Sequence, residues 1–147
     1  MFILLVDDNQ LYVSVMKEML LQAGFNHIGS VDSGFECVFQ IYKGDIPDVI
    51  IIDENQCFIN GVDVISKISE SIPNLTVFVL ADKNTPVNFN LLPKKGSTLY
   101  FVKENITADN LPQALYTIFT ESICFPKKAK TPNTFSLYKK SLAGILN

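Results

Sequence analysis

The run Asp48-Val49-Ile50-Ile51-Ile52-Asp53 constrains this chain more than any other stretch. Four consecutive β-branched apolar residues closed by a carboxylate suit a central strand of a parallel sheet covered on both faces. Pro47 shortly before the run and Asn60-Gly61 after it favour a strand over a buried helical segment. Asp53 then falls at the carboxyl end of the strand, where open α/β sheets place their chemistry. A second apolar run, Phe2-Ile3-Leu4-Leu5-Val6, ends in Asp7-Asp8. If the two strands are neighbours, three acids meet at one end of the sheet.

The totals agree with a globular α/β chain. At 147 residues there is length for one domain with a real core. A hydrophobic fraction of 48% and a mean hydropathy of +0.23 argue against disorder. No apolar run approaches the roughly 20 residues of a membrane span. The N-terminus enters a strand at Phe2 without a signal-peptide pattern, so a cytoplasmic setting away from membranes is expected. Cys37, Cys57 and Cys124 form no CxxC pair, which argues against a zinc site or a disulfide framework. Cys57 reads as a small filler near the strand end.

Charge is uneven. Lys127, Lys128, Lys130, Lys139 and Lys140 lie after Phe125, where no acid occurs, whereas all 15 acids precede it. The chain holds no arginine. Bidentate base contacts are therefore unavailable, and no direct DNA binding is expected.

Strand and helix patterns alternate along the chain. Leu11, Val13, Val15, Met16, Met19, Leu20 and Ala23 have helical spacing, closed by Gly24. Asn26 to Val31 reads as a short weak strand. Ser33 and Glu36 have capping-box spacing, opening a helix through Val38, Phe39, Ile41 and Tyr42. After a loop from Glu54 to Asn60, Val62, Val64, Ile65 and Ile68 form the apolar face of a third helix. Thr76 to Leu80 is another buried strand, ending at Ala81-Asp82. Between Asp82 and Lys95, Pro86 and Pro93 leave room only for a short helix around 87–92. Thr98 to Val102 is a fifth strand ending at Lys103. Asp109 or Asn110 caps a last helix that carries Leu111, Ala114, Leu115, Ile118 and Phe119. This is the strand-helix unit five times over, with parallel strands and helical crossovers. The expected organisation is an α/β domain over residues 1–123, a lysine- and proline-rich linker over 124–134, and a tail over 135–147. The apolar stripe of that tail (Phe135, Leu137, Tyr138, Leu142, Ile145, Leu146) predicts a short amphipathic helix that packs on the body or pairs two copies as a homodimer.

Three acids brought together repel one another, and such a cluster either raises a pKa or recruits a cation. Magnesium is the natural occupant: a hard ion, bound by oxygen, usually keeping several waters. A strand-end carboxylate can also act as a nucleophile toward phosphorus, giving an aspartyl phosphate. That chemistry needs a fixed positive charge on the phosphoryl oxygens, which Lys103 can supply. The plainer reading is that each acid only caps the following helix.

In order and spacing these residues resemble the receiver domain of response regulators in two-component signalling. The resemblance runs from Met1 to about Ile123. It rests on Asp7-Asp8 after an apolar strand, Asp53 with Gly61 as the helix-opening glycine, Gly34 with Glu36 at the opening of the second helix, and Gly96, Tyr100 and Lys103 in sequence. It implies a CheY-like, flavodoxin-like doubly wound (βα)5 three-layer sandwich with sheet order 2-1-3-4-5. It implies that Asp53 is the phosphoacceptor and that Lys103 contacts the phosphoryl group. Asp8 and Asp53 would hold Mg2+ by their side chains, Asn55 by its backbone carbonyl, and Asp7 through water. A sensor histidine kinase or phosphotransfer protein would donate the phosphoryl group, and a downstream protein target would read the result. The chain would be a signalling domain rather than an enzyme.

Three departures bear on the switch. Ala81 stands where the family has Thr or Ser, so the hydroxyl that draws the switch aromatic, here Tyr100, inward is missing. Glu104 replaces the proline after the lysine, so the customary cis peptide is not expected. Gln56-Cys57 replaces Met-Pro. Two readings follow: a phosphorylatable receiver with an altered switch, or a pseudo-receiver that binds partners without phosphorylation.

Overall fold

A computed structural model describes residues 1–82 and 97–124. The expected fourth helix around 87–92 and the tail over 135–147 lie outside the described residues. Five parallel strands form one sheet: β1 (Phe2–Val6), β2 (His27–Val31), β3 (Val49–Asp53), β6 (Thr76–Ala81) and β7 (Ser97–Val102). Their spatial order is β2-β1-β3-β6-β7. Counting only the strands of this sheet, that is the expected order 2-1-3-4-5. β3 lies at its centre, paired with β1 through Ile52–Val6 and with β6 through Asp53–Leu80. Every residue of β3 is buried, which explains the unbroken β-branched run.

Helices cover both faces. Alternate residues sort to opposite sides, as a pleated strand requires. Leu4, Val6, Ile50, Ile52, Val77 and Val79 pack with α2 (Gly34–Tyr42) and α3 (Val64–Ser71). Ile3, Leu5, Val49, Ile51, Phe78 and Leu80 pack with α1 (Gln10–Gln22) and α4 (Asn110–Cys124). Among the described residues no helix is long and apolar enough to cross a membrane.

Local signals in the sequence settle most element ends. Asn9 caps α1, its side chain accepting the Tyr12 N–H at 3.1 Å. Gly24 ends α1 at φ +97°, a backbone angle that only glycine adopts without strain. Ser33 Oγ accepts the Glu36 N–H, but Glu36 reaches back to the N–H of Asp32 rather than of Ser33. Pro112 sits within the first turn of α4, where it is tolerated. The Thr107 hydroxyl accepts the N–H groups of Asp109 and Asn110.

Three expectations need correction. Val62 is not helical. It belongs to β5 (Val62–Asp63), which pairs antiparallel with β4 (Phe58–Ile59). Gly61 does not open a helix: Asn60 (φ 49°) and Gly61 (φ 77°) are the two-residue turn of this hairpin, and Asp63 caps α3. Within α1, Leu11 and Val15 face solvent rather than the core, as does Phe39 in α2. Lys43 Nζ covers the Phe39 ring at 4.7 Å.

Cys37 and Cys57 are buried free thiols. Burial pushes both up from 9.0 to about 12, and for Cys57 the charges of Asp63, Asp53 and Glu54 add to it. The folded value lies above the unfolded one. The contribution of these thiols to stability is therefore intact below about pH 9 and lost as pH climbs toward 12. At pH 8 the thiolate fraction drops about a thousandfold against a free cysteine. In a Cys124→Ser background, a thiol reagent at pH 8 is expected to modify Cys37 and Cys57 only at the rate of unfolding. Immediate labelling of either would contradict the burial.

Candidate functional site at the carboxyl end of the sheet

The register that pairs Val6 with Ile52 brings Asp7 and Asp53 side by side, just past the ends of β1 and β3. Both are buried, at 5% and 3% exposure. Both continue the odd-numbered rows of their strands and therefore face the α1 side. Lys103, 96 residues from Asp7 in sequence, follows β7 on the same side. Its ammonium reaches across β6 to lie 2.9 Å from Asp7 Oδ2 and 2.9 Å from Asp53 Oδ1. The second oxygen of each carboxylate is used locally: Asp7 Oδ1 accepts the Asn9 N–H at 2.9 Å, and Asp53 Oδ2 the Asn55 N–H at 3.2 Å. The acids thus tie down the loops that follow them as well as binding the lysine.

Burial by itself lowers the Lys103 pKa, but hydrogen bonds to Asp53 and Asp7, with their charges, outweigh it and push the group above its ordinary value. The ammonium is held charged. Asp8 stands at the end of β1 with its side chain exposed, and Asn55 is exposed in the turn after β3. The Cys57 thiol points back to the Asp53 carbonyl at 3.6 Å. At the rim, Glu54 Oε1 accepts the Asp82 N–H at 3.2 Å.

Asp7, Asp8 and Asp53 set three formal negative charges against one ammonium, and every donor is a hard oxygen. That donor set suits a divalent, oxygen-seeking cation. Among the described residues no three His, Cys, Asp or Glu side chains form a ready-made cage. A cation here would complete its shell with water, as magnesium does.

Ala81 and Tyr100, the residues expected at the switch, lie on the opposite side of the sheet. Ala81 is buried at the end of β6 and pairs with Val102. Tyr100 packs against the α2/α3 core, and burial, with Cys57 and Asp63 nearby, raises its pKa. No cis peptide bond occurs among the described residues, and Glu104 continues into a 3-10 turn over Lys103–Asn105.

Sequence reasoning missed Tyr12. The Lys103 ammonium lies 4.5 Å from its ring centroid. A signal existed: Tyr12, Met16, Met19 and Ala23 recur at spacings of three and four, so Tyr12 belongs to the inward face of α1.

Comparison with known proteins follows the same lines. The family model of the response regulator receiver domain matches residues 3–116. The chemotaxis protein CheY of Thermotoga maritima is 31% identical over 101 residues, covering 69% of this chain and 83% of that protein. The transcriptional regulatory protein DegU of Brevibacillus brevis is 29% identical over 114 residues, 77% of this chain but 48% of DegU, so the chain spans about half the length of that relative. Among solved structures, a response regulator receiver domain protein from Clostridium thermocellum superposes with a TM-score of 0.68 at 24% identity, covering 83% of this chain and 96% of that one.

Proposed function

Since the chain belongs to the response regulator receiver domain family, we propose that Asp53 accepts a phosphoryl group from a histidine kinase or phosphotransfer protein in the cytoplasm. The observation that carries this reading is the Lys103 ammonium held 2.9 Å from both Asp7 and Asp53 in a buried site at the carboxyl end of the sheet.

The chemistry is that of an oxygen nucleophile at phosphorus. An oxygen of the Asp53 carboxylate attacks the phosphorus of a phosphohistidine, and a P–O bond forms. The P–N bond breaks, its electron pair leaves with the imidazole, and that ring takes a proton from water. Lys103 is already charged and already beside the attacking oxygen, so it needs no reorganisation to meet the incoming phosphoryl oxygens. Asp7 keeps that lysine in place. Asn55 fixes the Asp53 rotamer through its N–H. Mg2+, held by Asp8, Asp53, the Asn55 carbonyl and, through water, Asp7, would neutralise charge on the transferred group. The phosphorylated chain then acts on a downstream protein by changing the surface it presents.

Ala81 favours a second reading, a pseudo-receiver whose surface is used without phosphorylation. The two readings separate in one experiment. Acetyl phosphate with Mg2+ is expected to add one phosphoryl mass to the wild-type chain and none to Asp53→Asn. A wild-type chain that stays unmodified under those conditions would favour the pseudo-receiver.

A further inference from the structure

Tyr12 has no part in the steps above, yet it borders the same cleft as Asp7, Asp53 and Leu80. It lies in the first turn of α1 and packs on the α1/α4 core beside Leu5, Ile51 and Leu80. Its ring lies against the Lys103 ammonium. Its hydroxyl is buried and has no hydrogen-bond partner among the described residues. A buried hydroxyl without an acceptor costs stability, so a phenylalanine would be the cheaper residue here unless an acceptor arrives. Asp53 Oδ1 lies beside the same cleft, its one described partner being the Lys103 ammonium at 2.9 Å. The residue that would carry the phosphoryl group and the residue with the spare hydroxyl therefore line one cleft.

The opposite side of the sheet offers the contrast. Ala81 belongs to the rows that face α2 and α3, and it has no hydroxyl to give. We propose that the Tyr12 hydroxyl is a phosphoryl-binding group, donating a hydrogen bond to an oxygen of the group on Asp53 from the α1 side. This rests on Asp53 being the phosphoacceptor. Burial raises the Tyr12 pKa; Lys103 opposes the rise, while Asp7, Asp53 and Asp82 add to it. The phenol therefore keeps its proton at neutral pH and remains a donor. One consequence is that occupancy of Asp53 is sensed by α1, which carries Tyr12, rather than through Tyr100.

Beryllofluoride with Mg2+ tests this as a phosphoryl mimic, read by NMR on the full chain. In wild type, binding is expected to shift the Tyr12 Cζ resonance together with amides of the first turn of α1. Tyr12→Phe, which keeps the ring and its packing, is expected to fold as wild type does and to bind beryllofluoride about tenfold more weakly, the worth of one hydrogen bond to a charged acceptor. Equal affinity in Tyr12→Phe, or an unmoved Cζ resonance in wild type that does bind, would overturn the role of Tyr12 alone. A wild-type chain that binds no beryllofluoride and takes no phosphoryl group would instead remove the phosphoacceptor reading, and this inference with it.

Discussion

Lys103→Met is expected to destabilise the fold by about 3 kcal/mol at neutral pH, the usual scale for removing one partner of a buried ion pair. The substitution leaves Asp7 and Asp53 side by side, with side chains 7% and 3% exposed and no cation between them. The lysine side chain keeps 17% of its exposure, so some water reaches the pair and the cost falls at the low end of that scale. Asp7→Asn in the Lys103→Met background should return most of the loss, because one buried charge rather than two then remains. Urea unfolding of the two single variants and the double variant measures the coupling. A Lys103→Met chain within about 0.5 kcal/mol of wild type would show that the pair contributes no net stability.

The pH dependence has a defined sign. The folded Lys103 pKa is raised above its ordinary 10.5. Its contribution is therefore complete below about pH 10 and is lost as pH rises through the folded value. The stability gap between wild type and Lys103→Met should stay level from pH 7 to about 10 and narrow above that. A gap that narrows below pH 8 would contradict an ammonium held charged by two carboxylates.

Gly34→Ala is expected to cost about 2–3 kcal/mol, the scale of overpacking a tight site. A Cβ at position 34 would overlap the carbonyl oxygen of Gln56, which is backbone and cannot rotate away. The start of α2 or the 3-10 turn over Glu54–Gln56 must move instead. That turn holds the Asn55 N–H on Asp53, so the substitution should also loosen the Asp53 rotamer and slow its modification by acetyl phosphate. Gly61→Ala is the control. Its φ of +77° strains any L side chain, but nothing lies within 4 Å, so a loss of about 1 kcal/mol with no effect on Asp53 is expected. Equal losses in the two variants would mean that backbone angle, not the Gln56 contact, sets the cost.

These residues also mark how far the sequence could be read. The five strands of the sheet, the glycine stop of α1 and the carboxylates at two strand ends follow from local pattern, because burial and capping act over a few residues. The hairpin over Phe58–Asp63 was also written locally, in Asn60-Gly61, but the helical spacing of Val62, Val64, Ile65 and Ile68 hid it. Gly34 stood out as a helix opener, yet its reason is a backbone contact with Gln56, 22 positions away.

By itself the sequence determined which segments are strands and which chemistry stands at their ends. Only the tertiary structure decided that Asp7, Asp53, Lys103 and Tyr12 share one side of the sheet. The physical reason is distance along the chain. Periodicity reports a residue's own face, whereas the meeting of Lys103 with Asp7 depends on crossovers and strand register spanning 96 residues.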